Sequence, residues 1–313
     1  MANQLRTSGV FNLGSLGGDS AAVSADADFD SVVLLLDGEG SSITDESSSS
    51  HTITASGDTQ VDTAEKKFGS GSIEFDGATD HLSATSSSDF TFGTGDFTIE
   101  TWVKFRNGAS DRDMTLFDNG TVNTAGHLCI FADVNTLYCR FGTSGATLST
   151  AWTTLGMSNN NWNHLAIVRD SGTCRVFVNG VQKNSGTRNE NLTATGCRIG
   201  TLSGYEAYYA FDGYLDDFRI TKGVARYSSS FTPPTSALPT TGAVAGAIKP
   251  TRKWGGLVGR SLIASDALVK TGNLKLSELL QATYPAPGAV DGIKDRSGAV
   301  IQDRAGQAIQ PRS

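Results

Sequence analysis

Asn179-Gly180, set between Val176-Phe-Val178 and Val181, is the dipeptide that most constrains this 313-residue chain. Asn-Gly supplies the two positive-φ positions of a type I′ turn, whose twist matches that of paired antiparallel strands. The spacing predicts a two-residue hairpin over Arg175–Lys183. The same grammar recurs along the chain. Val32–Leu36 runs into Asp37-Gly38, Ser72–Phe75 into Asp76-Gly77, and Asp212-Gly213 opens the run to Ile220. Phe97–Phe105 alternates, with Phe97, Ile99, Thr101, Val103 and Phe105 on one face and Glu100 and Trp102 on the other. Strand-sized runs continue at Met114–Phe117, His127–Ala132, Thr136–Phe141, Asn163–Arg169 and Cys197–Gly200. Short strands, frequent turn signals and no helical periodicity predict an all-β, antiparallel jelly-roll sandwich. Abundant glycine (36) with scarce proline (7) fits that class better than a helical bundle.

The stretch Phe211–Ile220 carries polar residues on both faces of one predicted strand. Strict alternation puts Asp216 beside Tyr214 and Phe218, and Asp217 beside Arg219. A carboxylate among apolar neighbours needs a partner, and backbone amides, Arg219, Lys222 or a bound cation are all open.

Four regions follow from composition. Residues 1–28 read as an anchoring arm: apolar pieces at Val10-Phe11, Leu13 and Leu16 are spaced by glycines and too sparse to bury anything alone. Residues 29–239 form the sandwich, closed by the prolines of Phe231–Pro239, and 240–260 a linker. Residues 261–313 hold a short helical signal at Ser277–Gln281 and an eight-residue repeat, Ile293–Val300 then Ile301–Ala308. A unit that small cannot bury its isoleucines alone, so the repeat is expected to add strands to another subunit or partner. From Gly242 onward ten basic residues face five acidic ones, against fifteen and twenty-seven before it. The basic residues are scattered with only Trp254 and Tyr284 among them, which argues against nucleic acid and for docking on an acidic protein surface.

No run approaches the ~20 apolar residues of a membrane helix. The opening Met-Ala-Asn-Gln-Leu-Arg has no apolar signal core, so synthesis in a cytoplasm is expected. Cys129, Cys139, Cys174 and Cys197 show no CxxC and no histidine at metal spacing, so buried free thiols are expected in place of zinc or redox chemistry.

Phe29–Leu238 resembles the laminin-G-like, concanavalin A-like lectin/glucanase sandwich, in the version found in bacteriophage and marine-virus virion proteins. The resemblance is carried by Val33-Leu-Leu-Leu-Asp-Gly38, Phe68-Gly-Ser-Gly-Ser-Ile-Glu-Phe-Asp-Gly77, Phe90–Val103, Asn161–Arg169, Val176-Phe-Val-Asn-Gly180 and Phe211–Tyr227, in that order. It implies a lectin, a hydrolase or an inert spacer, because this fold hosts all three.

Hydrolases of that family are associated with Glu-x-Asp-x-x-Glu, which places an acid and a nucleophile on one strand face. Glu74-Phe-Asp76 begins the pattern, but Thr79 stands where the second glutamate belongs, so a non-enzyme is expected. The resemblance also implies a structural calcium, with Asp37, Asp76, Asp80, Asp212 and Asp216 as candidate ligands, although Asp-Gly serves a hairpin equally well. Sugar recognition needs exposed rings beside hydrogen-bonding groups. Tyr205, Glu206 and Tyr208 in one loop, and Trp152 and Asn160 in another, are the candidates, whereas Trp102, Trp162 and His164 are expected to pack inside. The reading that results is a virion structural protein of a tail fibre, tail-associated or capsid-surface appendage. It would contact host-surface glycan through the sandwich and assemble as a homo-oligomer, a trimer for preference. Residues 1–28 and 261–313 would bind other virion proteins. A glycan-cleaving enzyme, a soluble lectin and a purely architectural decoration protein are the alternatives.

Overall fold

The computed structural model describes residues 25–106, 113–133, 135–143 and 147–242. The chain divides into two units, residues 1–247 and 248–313. The expectations for the arm up to residue 24, and for the linker, helix and repeat beyond residue 242, lie outside the described residues.

Fifteen strands are described: β1 (Val32–Leu36), β2 (Ile53–Ser56), β3 (Gln60–Asp62), β4 (Ser72–Asp76), β5 (His81–Ala84), β6 (Phe97–Phe105), β7 (Met114–Asp118), β8 (Leu128–Asp133), β9 (Thr136–Phe141), β10 (Thr147–Ala151), β11 (Asn163–Asp170), β12 (Thr173–Val178), β13 (Val181–Thr187), β14 (Cys197–Ile199) and β15 (Asp212–Lys222). A single helical turn, α1 (Trp152–Leu155), follows β10. The strands build the expected antiparallel sandwich. One sheet runs β13-β12-β11-β6-β15-β4-β3, with β1 also on β15; the other runs β10-β9-β8-β7-β14-β5-β2.

The alternation of β6 explains the core between the sheets. Phe97, Ile99, Val103 and Phe105 point inward to meet Leu116, Leu128, Ile130 and Phe141 of the facing sheet. Glu100 and Trp102 point the other way, as read from sequence. Edge-to-face rings extend this core from Phe75 to Phe211 (5.5 Å), Phe105 (5.4 Å from Phe211) and Trp152 (5.0 Å from Phe105). Burial of one such ring is worth about 3–5 kcal/mol against alanine. The Asn179-Gly180 hairpin forms with both residues at positive φ, 50° and 76°. A Cβ at position 180 would collide with the Phe231 carbonyl, so glycine is required twice over.

β15 departs from strict alternation. Leu215 faces the core, and so do Phe218 and Ile220, so the phase flips between them. The cause is a bulge between Asp216 and Arg219, with Asp217 at φ 52°. Asp216 therefore does not share a face with Phe218. At the bulge β15 also changes neighbour on one edge, from β4 (Asp212–Leu215) to β1 (Phe218–Thr221). The Asp216 carboxylate accepts the backbone N–H groups of Lys67 and Phe68 (2.8 and 3.0 Å), and Asp217 accepts that of Leu238 (3.0 Å). Backbone amides are thus the partners the sequence left undecided.

The outer face of the eight-stranded sheet is sealed. Residues 223–242 cross it, with Tyr227 stacked on Phe231 (3.5 Å, 4°) and both rings packed near His164 and Phe177. Beneath them Glu100 accepts Arg219 and the Tyr227 hydroxyl (2.7 Å each), with His164 at 3.3 Å. Arg219 and Arg226 both reach Asp26 (2.9 and 2.8 Å). Burial pushes the Glu100 pKa up, but Arg219 and His164 outweigh it and hold the carboxyl at about 2. An isolated parallel bridge joins Asp26 to Gly242, so the sandwich is entered and left at one place. No helix among the described residues is long and apolar enough to cross a membrane.

Candidate functional site

The outer face of the seven-stranded sheet is built differently. Along β8, Leu128, Ile130 and Ala132 face the core, while Cys129 and Phe131 face outward. Register then lays a transverse row across five strands, Ser83, Arg198, Asp118, Cys129 and Arg140, each the Cα partner of the next. Four of its five residues carry polar or charged side chains. A groove of about 600 Å³ opens over its β5–β14–β7 half, lined by Ser83, Ser86, Asp118, Asn119, Thr195 and Arg198.

The loop 200–211 rims this groove. Its ends are tied by Phe211 N–H to the Gly200 carbonyl (2.8 Å), and Thr115 N–H binds the Tyr209 carbonyl (3.0 Å). Gly200 sits at φ 90° against the Phe75 ring, where a Cβ would clash. Anchored at both ends, the loop presents Tyr205 (47% exposed) and Tyr208 (77% exposed) to solvent. With Tyr209 and Asp113 they line a shallow cleft of about 480 Å³. A second cleft of about 150 Å³, between Tyr205, Tyr209, Phe131 and Arg140, adjoins it. Arg140 lies over the Phe131 ring (4.8 Å) and donates to Asn123 (3.3 Å). Glu206 is turned back onto Arg198 (2.8 Å) and the Gly204 amide (3.2 Å). Backbone hydrogen bonding, ahead of the Arg198 charge, holds its pKa below the usual range. Rings with exposed faces, hydroxyls, amides and charged donors around concave surfaces are what sugar C–H faces and hydroxyls require.

The structure thus brings Tyr205, Glu206 and Tyr208 together and leaves Trp152 and Asn160 apart from them. Trp152 opens α1 and packs edge-on against Phe105 at the core margin. Asn160 is a turn residue at φ 57°, its N–H donated to the Phe105 carbonyl (2.8 Å). Trp102 is buried under Lys67 (3.9 Å to the ring), and Trp162 is partly buried with its indole N–H on Glu65 (3.0 Å).

The five aspartates named for calcium also divide. Asp76 caps its own turn through Ala78 N–H (2.7 Å), and Asp80 accepts Asp58 and Asp76 amides (2.6 and 2.9 Å). Asp212 pairs with Arg106 (2.7 Å). These three are held by turns and an arginine. Asp37 and Asp216 come near each other and near Asp217. Burial pushes Asp216 up to about 6, with Glu39 and Asp37 adding to it; burial, then Asp216, push Asp217 to about 8. Asp217 Oδ1 is buried without a protein hydrogen bond, so this group fits a hard cation better than the other three do. Glu74, the first residue of the hydrolase-like pattern, is engaged by Arg106 (2.6 Å) and Gln60 (3.3 Å).

All four cysteines are free and buried. Cys129 and Cys139 do not face each other: the partner of Cys129 is Arg140, and Cys139 points into the core. Sequence spacing missed one constellation. Asp118, His127 and Cys129 converge, fully buried, with donor atoms within 4.8 Å of one another. Asp118 ends β7 and His127 stands just before β8, nine residues on, so only the pairing of the two strands could reveal them.

Residues 76–226 match the family model described as the concanavalin A-like lectin/glucanases superfamily. A search of curated proteins finds no match. Among solved structures, the chain is similar to the receptor binding domain of botulinum neurotoxin C/D mosaic serotype, at 15% identity and TM-score 0.50, over 63% of this chain and 49% of that one. It is likewise similar to a botulinum neurotoxin serotype D/C binding domain, at 13% identity and TM-score 0.50, over 63% and 50%. The chain thus spans about half the length of these structures, and the likeness is one of fold.

Proposed function

We propose that this concanavalin A-like sandwich is a non-enzymatic glycan-contacting module of a virion appendage, binding host-surface sugar on the outer face of its seven-stranded sheet. The observation that carries the reading is the pairing of two exposed tyrosines with a polar groove on the face that the 223–242 segment does not cover. The family description and the binding-domain neighbours are compatible with it. The phage setting rests on the sequence resemblance, and residues 1–28 and 261–313 would hold the protein to other virion proteins, as a homo-oligomer with a trimer favoured. Glu74, committed to Arg106, and Thr79 in place of a second carboxylate support binding without cleavage. A calcium ion on Asp37, Asp216 and Asp217 would brace the bulge, not the sugar.

A glycan array with the full chain tests the reading. Binding to surface polysaccharide that Tyr205→Ala with Tyr208→Ala abolishes, without a change in near-ultraviolet circular dichroism, is the expected result. No binding to any glycan would leave an architectural role, and release of reducing ends would make the protein a hydrolase. Mass spectrometry and immunolabelling of purified particles test the virion placement.

A further inference from the structure

We propose that Asp118, His127 and Cys129 form a site for one divalent ion of the zinc class, set in the floor of the open face. Three donor types converge there: a carboxylate, an imidazole and a thiol, all without solvent exposure and within 4.8 Å of one another. The backbone makes the cluster unavoidable. His127 immediately precedes β8, two residues before Cys129, and Asp118 is the Cα partner of Cys129 on the neighbouring strand. Asp118 Oδ1 stands 2.5 Å from His127 Nε2. The carboxylate is aimed from behind by Ser203 N–H on Oδ2 (3.0 Å) and Gly120 N–H on Oδ1 (3.5 Å), the outer support that metal ligands need.

Cys129 differs from the other three cysteines. Cys139, Cys174 and Cys197 lie among aliphatic side chains between the sheets, where a thiol is a small apolar filler. Cys129 lies on the outer side with Phe131 and Leu202, beside two anion-forming or ligating groups. The His127 Nδ1 atom is buried and has no hydrogen-bond partner in the protein, so the ring is not fully used by the fold.

The donor set selects the ion. One oxygen, one nitrogen and one sulfur suit Zn²⁺ or Co²⁺, whereas Ca²⁺ and Mg²⁺ take oxygens. With bond lengths of about 2.0–2.3 Å, a tetrahedral site of these ligands has edges of roughly 3–4 Å. Side-chain adjustments of an ångström or less bring the three donors to that spacing. The proton account is simple: the Cys129 thiol releases one proton to solvent, and neutral His127 keeps its ring proton on Nδ1 while Nε2 ligates. Asp118 borders the 600 Å³ groove and Cys129 the 150 Å³ cleft while the donor atoms themselves are buried, so an ion would reach them through a local opening of these walls. Three protein ligands leave one position of a tetrahedral site for a water.

The test uses the untagged full chain and does not depend on whether any glycan binds. Chelator-stripped protein reloaded with Zn²⁺ and gel-filtered is expected to carry one zinc per chain by elemental analysis, with a raised Tm. Titration of stripped protein with Co²⁺ should give tetrahedral visible bands and a near-ultraviolet thiolate charge-transfer band. Cys129→Ser should remove the charge-transfer band, Cys139→Ser should keep it, and His127→Gln should weaken Co²⁺ binding at least tenfold. Less than a tenth of an equivalent of zinc, a wild-type Co²⁺ spectrum without the thiolate band, or a band that survives Cys129→Ser overturns the proposal. If Cys129→Ser does not fold, the wild-type spectrum and Cys139→Ser still decide.

Discussion

The two outer faces of this sandwich start from the same alternation and end as opposites. On the eight-stranded sheet, Glu100, His164 and Arg219 point outward and are then covered by Tyr227, Phe231 and Leu238, so charges become interior groups that must be paired. On the seven-stranded sheet, Ser83, Arg198, Asp118 and Arg140 point outward along grooves, with tyrosines at the rim. The difference lies in what crosses the sheet, since the strands themselves are alike. One face has its polar groups paired beneath a cover; on the other Arg198 pairs with Glu206 and Asp118 with His127, but the groove and clefts beside them stay open.

The sharpest way to break this contrast is Arg219→Ala. It removes the guanidinium shared by Glu100 and Asp26, leaving Glu100 to Tyr227 and His164 and Asp26 to Arg226, and should cost about 3–5 kcal/mol in urea unfolding. A loss below 1 kcal/mol would mean the sealed face is wetter than its geometry implies. Asp217 gives the next effect. Its pKa in the fold is raised to about 8, so the stability tied to its protonated form is complete below the unfolded value near 4 and is lost as pH rises through 8. In EDTA, stability should fall across that window by up to ~1.4 kcal/mol per pH unit, and Asp217→Asn should flatten the slope. Calcium added at pH 8 should recover the loss if the Asp37–Asp216–Asp217 group binds it; no recovery removes calcium from the account.

On the open face the effects should fall on binding, not folding. Tyr205→Ala with Tyr208→Ala should leave stability within about 0.5 kcal/mol while weakening glycan at least tenfold by titration calorimetry. Arg198→Ala removes a half-exposed pair with Glu206 and should cost no more than ~1 kcal/mol. A larger cost would place this face, too, among the structural ones.

Much of the fold was legible because it is written locally. Asn179-Gly180 and the alternation of Phe97–Phe105 each needed only a few neighbouring residues. β10 was not read, since Thr147-Leu-Ser-Thr-Ala151 offers only Leu148 as an apolar inward side chain. The phase flip in β15 was hidden because it depends on a non-glycine residue, Asp217, at positive φ. The tyrosine loop was found from composition, as three tyrosines and a glutamate before a strand. The groove was not, because Ser83, Asp118 and Arg198 meet only through the register of three strands. The covering role of Tyr227 and Phe231 was likewise invisible: their prolines-and-turns neighbourhood announced an ending and not a lid.

The bridge between Asp26 and Gly242 has a practical side. A module whose chain enters and departs at adjacent residues can be lifted out of a longer polypeptide, or replaced by another, without moving the segments on either side. Grafting residues 26–242 between foreign flanks should therefore leave the sandwich folded.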